Sequence, residues 1–325
     1  MKLALTICSA NYLPYAKALG DSLIEHNSDY TFYIVLLDSY SDFDKEFFQP
    51  HTIISIEEIQ IAELVEMNSR YSIFELSCAL KPFVTEYFLN KKTDVELVCY
   101  FDSDILIFNK LSEIENKIKH SSILLTPHIS VPFVEDGNSP GEETILRAGI
   151  FNGGFFAVKK TAETFQFLSW WKTRLFKFCY NDAINGLFVD QIWLNYVPVF
   201  FNGVNILDNP GYNVAYWNLH QNEIEMVDET FYVNKNYPLA FYHYSGYDIN
   251  SPEIISKHQN RFTFETKPKI IPLYKKYTES VLKNDYLKFA SLKSTFGFVK
   301  EELPPPTMKT KKFSKEFFKK IFNKN

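Results

Sequence analysis

Apolar and polar residues in the N-terminal part of the chain follow the pattern of a parallel α/β sheet. The apolar run Lys2–Cys8 predicts a buried strand, and a second run, Thr31–Leu37, predicts another. Between them, Pro14 suits the first turn of a helix, and an amphipathic stripe continues to about His26. Strand, helix and strand at this spacing form a βαβ unit, in which ligands bind beyond the carboxyl ends of the strands.

The following residues continue the α/β pattern. Further strands are expected at Thr52–Ile56, Val95–Phe101 and Ser122–Thr126, and further helices at Ser72–Leu89, interrupted or bent at Pro82, and from an N-cap at Thr161 to about Phe178. The Pro/Gly/Glu-rich segment Ser130–Gly149 is expected to be a long loop. We therefore predict an α/β fold with a Rossmann-like, mixed and mostly parallel sheet flanked by helices.

The chain is expected to consist of one large domain followed by two C-terminal segments. The predicted parts are a domain over 1–250 with two halves, of which 1–108 has the pattern of a nucleotide-binding α/β layer and 109–250 changes character, a helical extension (251–302), and a proline linker with a basic tail (303–325). Residues 307–325 carry seven lysines against one acid, with apolar residues at helical spacing. A basic amphipathic helix of this kind suggests docking on an anionic membrane surface. A solvated tail, or a helix packed on a partner, stays open.

Composition narrows the function classes. A formal net charge of −5 argues against a nucleic-acid binder, whereas an aromatic content of 17% suits the stacking of bases and sugars. No apolar run approaches the roughly 18 residues of a transmembrane helix, and the N-terminal apolar run predicts a strand rather than a signal peptide. Four scattered cysteines without a CxxC pair indicate reduced core thiols of a cytosolic protein: Cys8, Cys78, Cys99 and Cys179.

Two carboxylates follow the strand that ends at Phe101. Asp102 and Asp104 are one residue apart, and residues i and i+2 of an extended chain project to the same side. Two like charges held so close are unfavourable unless something neutralises them, and a divalent cation is the usual solution. The alternative is a pair of solvated acids at a strand end.

Three further groups carry candidate chemistry. His243 ends an apolar strand, although a lone histidine can equally be a structural hydrogen-bonding group. Asp190-Gln191 interrupts an apolar segment, where a buried carboxylate and amide need partners; Asp190 can cap a helix that continues through Asn195, and such a cap can also present Gln191 to a cleft. The paired glycines of Asn152-Gly153-Gly154 precede an apolar strand and let the backbone approach a ligand closely. The remaining histidines considered are expected at surface or loop positions: His26, His51, His120, His220 and His258.

In order and spacing, these motifs resemble the GT-A nucleotide-sugar glycosyltransferases, and among them the retaining family 8-type enzymes of bacterial lipopolysaccharide and capsule synthesis. The resemblance covers about residues 3–250. The matching pieces are Thr6–Tyr12, Lys81, Phe101–Asp104, Phe151–Phe155, Val189–Gln191 and His243–Gly246. There is no G-x-G-x-x-G and no Walker A sequence.

The resemblance implies a role for each matching position. Asp102, Asp104 and His243 would hold Mn²⁺ against the diphosphate of a UDP-sugar. Gln191 and Asp190 would be the catalytic residues beside the donor sugar, where an amide or carboxylate stabilises the cationic carbon. The nucleotide and its sugar would be contacted by Ala10, Asn11, Tyr12, Asp38, Lys81, Ser103, Asn152, Gly153, Gly154 and Gly246.

The implied activity is metal-dependent transfer of a hexose to a cell-surface glycan or lipid-linked oligosaccharide, with retention favoured, at the cytoplasmic face of a membrane. Acceptor contacts are expected from the second half of the catalytic domain (109–250), including residues 128–149 and the aromatic segment Tyr212–Trp217. The family's lysine after the metal-binding histidine is missing from Tyr247–Pro252, and Lys257 or Arg261 would have to replace it. Two alternatives remain: a nucleotidyltransferase that makes an NDP-sugar, and an inactive sugar-binding or scaffold protein of the same fold.

Overall fold

A computed structural model describes residues 1–38, 46–91 and 94–298. The strands are β1 (Lys2–Cys8), β2 (Tyr30–Leu36), β3 (Thr52–Ser55), β4 (Leu97–Phe101), β5 (Ile105–Ile107), β6 (Ile123–Pro127), β7 (Phe151–Lys159), β8 (Asn181–Asp182), β9 (Leu187–Phe188), β10 (Val204–Ile206), β11 (Ile224–Val227), β12 (Thr230–Val233), β13 (Tyr237–Pro238) and β14 (Phe241–His243). The α-helices are α1 (Leu13–His26), α2 (Leu64–Asn68), α3 (Ile73–Lys91), α4 (Ser112–Lys117), α5 (Glu142–Ala148), α6 (Ala162–Phe178), α7 (Gln191–Leu194), α8 (Val197–Phe200), α9 (Ile271–Lys283) and α10 (Tyr286–Phe289).

Seven strands form the central sheet, in the order β10-β6-β7-β4-β1-β2-β3. β1 pairs in parallel with β2 and β4, and β3 and β10 also pair in parallel with their neighbours. Among the described strands of this sheet, only β7 runs antiparallel to both of the strands beside it. The end of β7 that begins at Phe151 therefore lies at the same sheet edge as the carboxyl ends of β1 and β4. The predicted fold class, a mixed and mostly parallel sheet flanked by helices, is confirmed.

Alternate residues of β1 enter two different cores. Leu3, Leu5 and Ile7 pack with α3 and α6 on one face of the sheet, whereas Ala4 and Cys8 pack with α1 on the other. Burial on both faces is what a continuous apolar strand of a parallel sheet requires. All four cysteines are buried and free, as predicted.

A third core joins the C-terminal elements to the sheet. β14 pairs antiparallel with β5, and its Tyr242 packs in one cluster with Leu106 and the α9 residue Leu273. The rings of Tyr244 and Tyr277 stack with their centroids 3.8 Å apart. This packing fixes the short ribbon of β5 and β14, which carries part of the candidate site.

Several local predictions need correction. α3 is not interrupted at Pro82: the helix continues through a stretch in which the residues are buried, so tertiary packing offsets the missing N–H. The predicted loop Ser130–Gly149 contains α5. His51 lies in a loop, one of the positions predicted for it, but is buried, with its Nε2 2.8 Å from Asp21 Oδ1. Its ring fits there because Gly20 has no Cβ, which would lie 2.8 Å from the imidazole.

The C-terminal predictions are only partly covered. Residues 303–325, and with them the proposed membrane-docking tail, lie outside the described residues. The division of the chain at residue 250 stays a prediction. Within the described part of the chain, none of the helices combines the length and the apolar character needed to cross a membrane.

Candidate active site

Asp102, Asp104 and His243 form a compact cluster at the sheet edge. The two aspartates follow β4, and β14 places His243 directly opposite Ile105, the first residue of β5. One potential ligand atom from each of the three side chains lies within 4.8 Å of the others. His243 Nε2 is 3.0 Å from Asp104 Oδ1. The structure therefore brings together the three residues that the sequence predicts as metal ligands.

The charges of this cluster are coupled. Burial alone would lower the pKa of His243, but the neighbouring Asp104 carboxylate raises it above its ordinary value. Burial would likewise raise the pKa of Asp104, and His243 lowers it instead. His243 is buried and its Nδ1 has no hydrogen-bond partner among the described residues, whereas the Asp102 and Asp104 side chains are 32% and 28% exposed. The carboxylates are thus open to an ion from solvent, and the imidazole forms the inner wall.

Lys81 connects this cluster to Asp190. Its ammonium nitrogen lies 3.0 Å from Asp190 Oδ2, 3.2 Å from Asp102 Oδ1 and 2.9 Å from the carbonyl oxygen of Gly153. Burial alone would lower the pKa of Lys81, but Asp102 and Asp190 hold it well above its usual range. Tyr100 donates a hydrogen bond to Asp102 Oδ1 over 2.8 Å and presents its ring to the ammonium. Lys81 therefore remains charged in the interior.

The two glycines at the start of β7 are required by close packing. A Cβ on Gly154 would lie 2.3 Å from His243 Cε1 and 2.9 Å from Asp102 Oδ2. A Cβ on Gly153 would lie 2.4 Å from Asp190 Oδ2. The Gly154 carbonyl also accepts a hydrogen bond from Asp102 N over 2.8 Å. The glycine pair thus lets the metal-ligand cluster and Asp190 approach the same strand.

Asp190 and Gln191 lie at the start of α7, and the Asp190 side chain does not cap the helix. It binds Lys81, while its backbone carbonyl accepts a hydrogen bond from Trp171 Nε1 over 3.3 Å. Gln191 Oε1 accepts a hydrogen bond from Gly153 N over 3.2 Å. Both side chains are buried beside the metal-ligand cluster. The cap interpretation is therefore wrong for the Asp190 side chain, whereas the presentation of Gln191 to a cleft stays a prediction.

A layer of buried polar residues lies behind the cluster, and the contacts within it were not predicted from the sequence. Asn152 Oδ1 accepts hydrogen bonds from Gly154 N and from Asn213 Nδ2, and its Nδ2 donates to His128 Nε2 over 3.1 Å. Burial lowers the pKa of His128 to about 4, so its ring is neutral near pH 7. Trp217 lies between the rings of His128 and His243, about 5 Å from each. Asn152 thus positions Gly154, and does not itself face open solvent.

The turn after β1 forms one wall of a cleft that reaches the aspartates. Ala10, Asn11 and Tyr12 form a single 3-10 turn, and Tyr12 is 44% exposed. Asp38, which follows β2, accepts a hydrogen bond from Ala10 N over 2.7 Å. The cleft has a volume of about 270 Å³, and its lining includes Ser9, Tyr12, Ile73, Phe74, Lys81, Asp102, Ser103 and Asp104.

The loop after β14 distinguishes the two candidates for a phosphate-binding cation. Gly246 has φ +72°, and Lys257 N donates to its carbonyl oxygen over 3.0 Å. Arg261 already has other partners: its guanidinium pairs with Asp136 at 2.7 Å and donates to the carbonyls of Asn138 and Pro140. Lys257 is exposed beside the Gly246 turn and is the candidate that remains.

Comparisons with known proteins provide a context for this site. No family model matches the chain. Uncharacterized protein YfnF of Bacillus subtilis (strain 168) is 28% identical over 249 residues, which cover 76% of this chain and 82% of YfnF. Uncharacterized protein YfnD of the same strain is 26% identical and covers 75% of this chain and 77% of its own.

Among solved structures, the chain is similar to galactosyltransferase LgtC in complex with donor and acceptor sugar analogs. That match has 14% identity and a TM-score of 0.49, and covers 87% of this chain and 96% of LgtC. Glycosyltransferase GlyE of Streptococcus pneumoniae TIGR4 matches with 15% identity and a TM-score of 0.47, over 93% of this chain and 66% of GlyE. Both are glycosyltransferases, the class that the sequence motifs resemble. At these identities they assign no substrate, so function has to be argued from the side chains described above.

Proposed function

We propose that this protein is a metal-dependent glycosyltransferase, which moves a hexose from a UDP-sugar to a glycan or lipid-linked oligosaccharide with retention of configuration. The observation that supports this most strongly is the Asp102, Asp104 and His243 cluster, with its ligand atoms within 4.8 Å, beside the buried Lys81–Asp190 pair. Metal ligands and a charge-compensated buried carboxylate at one sheet edge suit transfer between a nucleotide diphosphate and a sugar acceptor.

The donor set fits Mn²⁺. Two partly exposed carboxylates and one buried imidazole supply oxygen and nitrogen ligands, a mixture that Mn²⁺ accepts more readily than Mg²⁺, which prefers oxygen. Asp102, Asp104 and His243 would hold the ion. A bound cation supplies Lewis-acid stabilisation of the diphosphate leaving group.

Each of the other side chains of the site has its own role in the proposed reaction. Lys81 stays charged and compensates Asp190, so that carboxylate is held in place rather than left as an unpaired buried charge. Gln191 is fixed by the hydrogen bond that it accepts from Gly153 N, and it presents a neutral amide next to Asp190. In the proposed reaction the Gln191 amide stabilises positive charge on the sugar carbon, and Asp190 positions the groups around it.

The acceptor would approach from the second half of the chain. Tyr212 and Trp217 of the predicted aromatic segment are buried, which leaves Tyr216 as its partly exposed ring. Arg261 holds the loop ahead of α5 through Asp136 and Pro140. We therefore assign acceptor contact chiefly to residues 128–149. The basic tail supports an acceptor located at the cytoplasmic face of a membrane.

A donor panel tests the proposal. Purified full-length protein is incubated with Mn²⁺, individual UDP-sugars and a mixture of glycan acceptors, and UDP release and product formation are followed. We expect one UDP-sugar to be consumed with a glycoside product, whose anomeric configuration is read by NMR. Retention supports the assigned place of Gln191, and inversion would remove that role. Absence of binding and turnover for every donor would reject the glycosyltransferase and leave the scaffold alternative.

A further inference from the structure

The last described residues of the chain return to the cleft. After α9, helix α10 packs against the turn Ala10–Tyr12, whose Tyr12 lines the cleft. We call the residues that follow, Ser294–Phe298, the strap. It contacts Asp38, which follows β2 and binds the Ala10–Tyr12 turn, and the residues that lead into α3.

The first anchor of the strap is the Asp38 carboxylate. Its Oδ1 accepts hydrogen bonds from Thr295 N at 2.6 Å, Ser294 Oγ at 2.7 Å and Thr295 Oγ1 at 3.2 Å. Its Oδ2 accepts from Ala10 N. Asp38 is 4% exposed, so both oxygens are engaged within the protein. A nucleotide base could reach this carboxylate only by displacing the strap.

The second anchor lies at the start of α3. Gly297 N donates to Asn68 Oδ1 over 2.7 Å, and Phe298 N donates to the carbonyl oxygen of Tyr71 over 2.7 Å. Gly297 has φ +96°, and a Cβ there would lie 2.5 Å from Ile73 N. Glycine is therefore needed at this point for two reasons, the backbone conformation and the approach to the Ile73 backbone. Ile73 itself lines the cleft.

We propose that the strap closes the end of the cleft that receives the nucleobase of a nucleoside diphosphate, and that Asp38 is a positioning residue rather than a direct base contact. The proposal rests on the proposed function, because it takes the cleft to be the donor site. Asp38 ties the strap to the Ala10–Tyr12 turn, while Gly297 and Phe298 tie it to the α3 side. The strap thereby fixes the separation between the walls that would enclose the base.

A pair of full-length glycine variants tests this role. Gly297→Ala places a Cβ against Ile73 N and disturbs the second anchor, whereas Gly186→Ala carries a similar backbone strain, with φ +79°, and meets nothing within 4 Å. Calorimetry in Mn²⁺ should show UDP binding weakened about tenfold or more by Gly297→Ala and unchanged by Gly186→Ala. The donor KM should rise with kcat within about twofold of wild type. UDP binding by Gly297→Ala that is as tight as wild type or tighter would overturn the proposal, since the strap would then either not affect UDP binding or oppose it.

A ligand that lacks the base separates this role from general destabilisation. Pyrophosphate with Mn²⁺ should bind wild type and Gly297→Ala equally, because the strap lies at the base end. An equal loss for pyrophosphate and UDP would contradict the assignment. A second variant, Ser294→Ala/Thr295→Val, removes two of the donors to Asp38 Oδ1 and keeps Thr295 N, so UDP binding should weaken less than in Gly297→Ala. Failure of wild type to bind UDP rejects the proposed function, whereas UDP binding that Gly297→Ala leaves unchanged rejects the strap alone.

Discussion

Lys81 lies between two carboxylates with only 2% of its side chain exposed. Lys81→Met should lower the free energy of unfolding by about 3–5 kcal/mol, because it leaves the buried Asp190 without its cation. Lys81→Met/Asp190→Leu should recover much of that loss but not the transferase activity. Chemical denaturation of the two variants checks the prediction. A single variant as stable as wild type would show that the ion pair does not matter for folding.

His128 should make the stability of the folded protein depend on pH. Its pKa of about 4 in the folded protein lies below the ordinary 6.5, so between these values the unfolded state takes up a proton that the folded state does not. Stability should therefore fall as the pH drops from about 6.5 to about 4, by about 3 kcal/mol from this residue, and level off below.

The variant His128→Gln provides the comparison, since an amide oxygen can accept the Asn152 hydrogen bond without titrating. Unfolding free energies measured across this pH range should converge for His128→Gln and wild type as the pH falls. Parallel curves would contradict the assignment of a neutral, buried imidazole. Asp104 and His243 are left out of this comparison because a bound cation would change their titration.

At the scale of the elements, the start of β7 is the critical segment. Gly154→Ala should weaken Mn²⁺ binding by about tenfold or more, because the new Cβ meets His243 and Asp102. Gly153→Ala meets Asp190 instead, so it should reduce transfer and leave Mn²⁺ affinity near that of wild type. Calorimetric Mn²⁺ titration distinguishes the two. Equal Mn²⁺ affinities for both variants would contradict the geometry described here.

Most strands of the central sheet were predictable because their signals are local, whereas the short strand β10 was not predicted. The runs around β1, β2 and β4 are long and apolar, and each strand was placed within about two residues. The helix α5 was missed because the prolines and glycines of its neighbourhood indicate a loop. The burial of His51 in its loop depends on Gly20, which lies on another element and gives no signal at position 51.

Of the site, the sequence predicts the candidate metal ligands but not the buried contacts behind them. The three candidate ligands lie in short motifs and could be predicted from the sequence. His128, Asn213 and Trp217 lie in segments predicted to contact the acceptor, and their buried contacts behind the cluster were not predicted. Their contacts join distant parts of the chain, and a lone buried histidine or asparagine has no distinguishing sequence pattern. The link between Asp38 and Thr295 spans 257 residues and is likewise visible only in the folded protein.

In the whole molecule, one sheet edge collects groups from both halves of the chain. β1, β4 and the reversed β7 bring the turn, the aspartates and the glycines together, and the ribbon of β5 and β14 adds His243. α3 supplies Lys81, and the strap returns from the C-terminal side. The fold thus holds the candidate metal ligands and the buried Lys81–Asp190 pair on elements packed into three cores.

The most direct test of metal-dependent glycosyl transfer is the rate of UDP release from the donor, measured in Mn²⁺ and after chelation. Wild type should release UDP only with the metal, and Asp104→Asn should lower the metal-dependent rate by roughly a hundredfold or more. The matched control, Asp208→Asn, changes a carboxylate that is 69% exposed and lies outside the site, and should retain the wild-type rate. Release that neither chelation nor Asp104→Asn reduces would contradict the account.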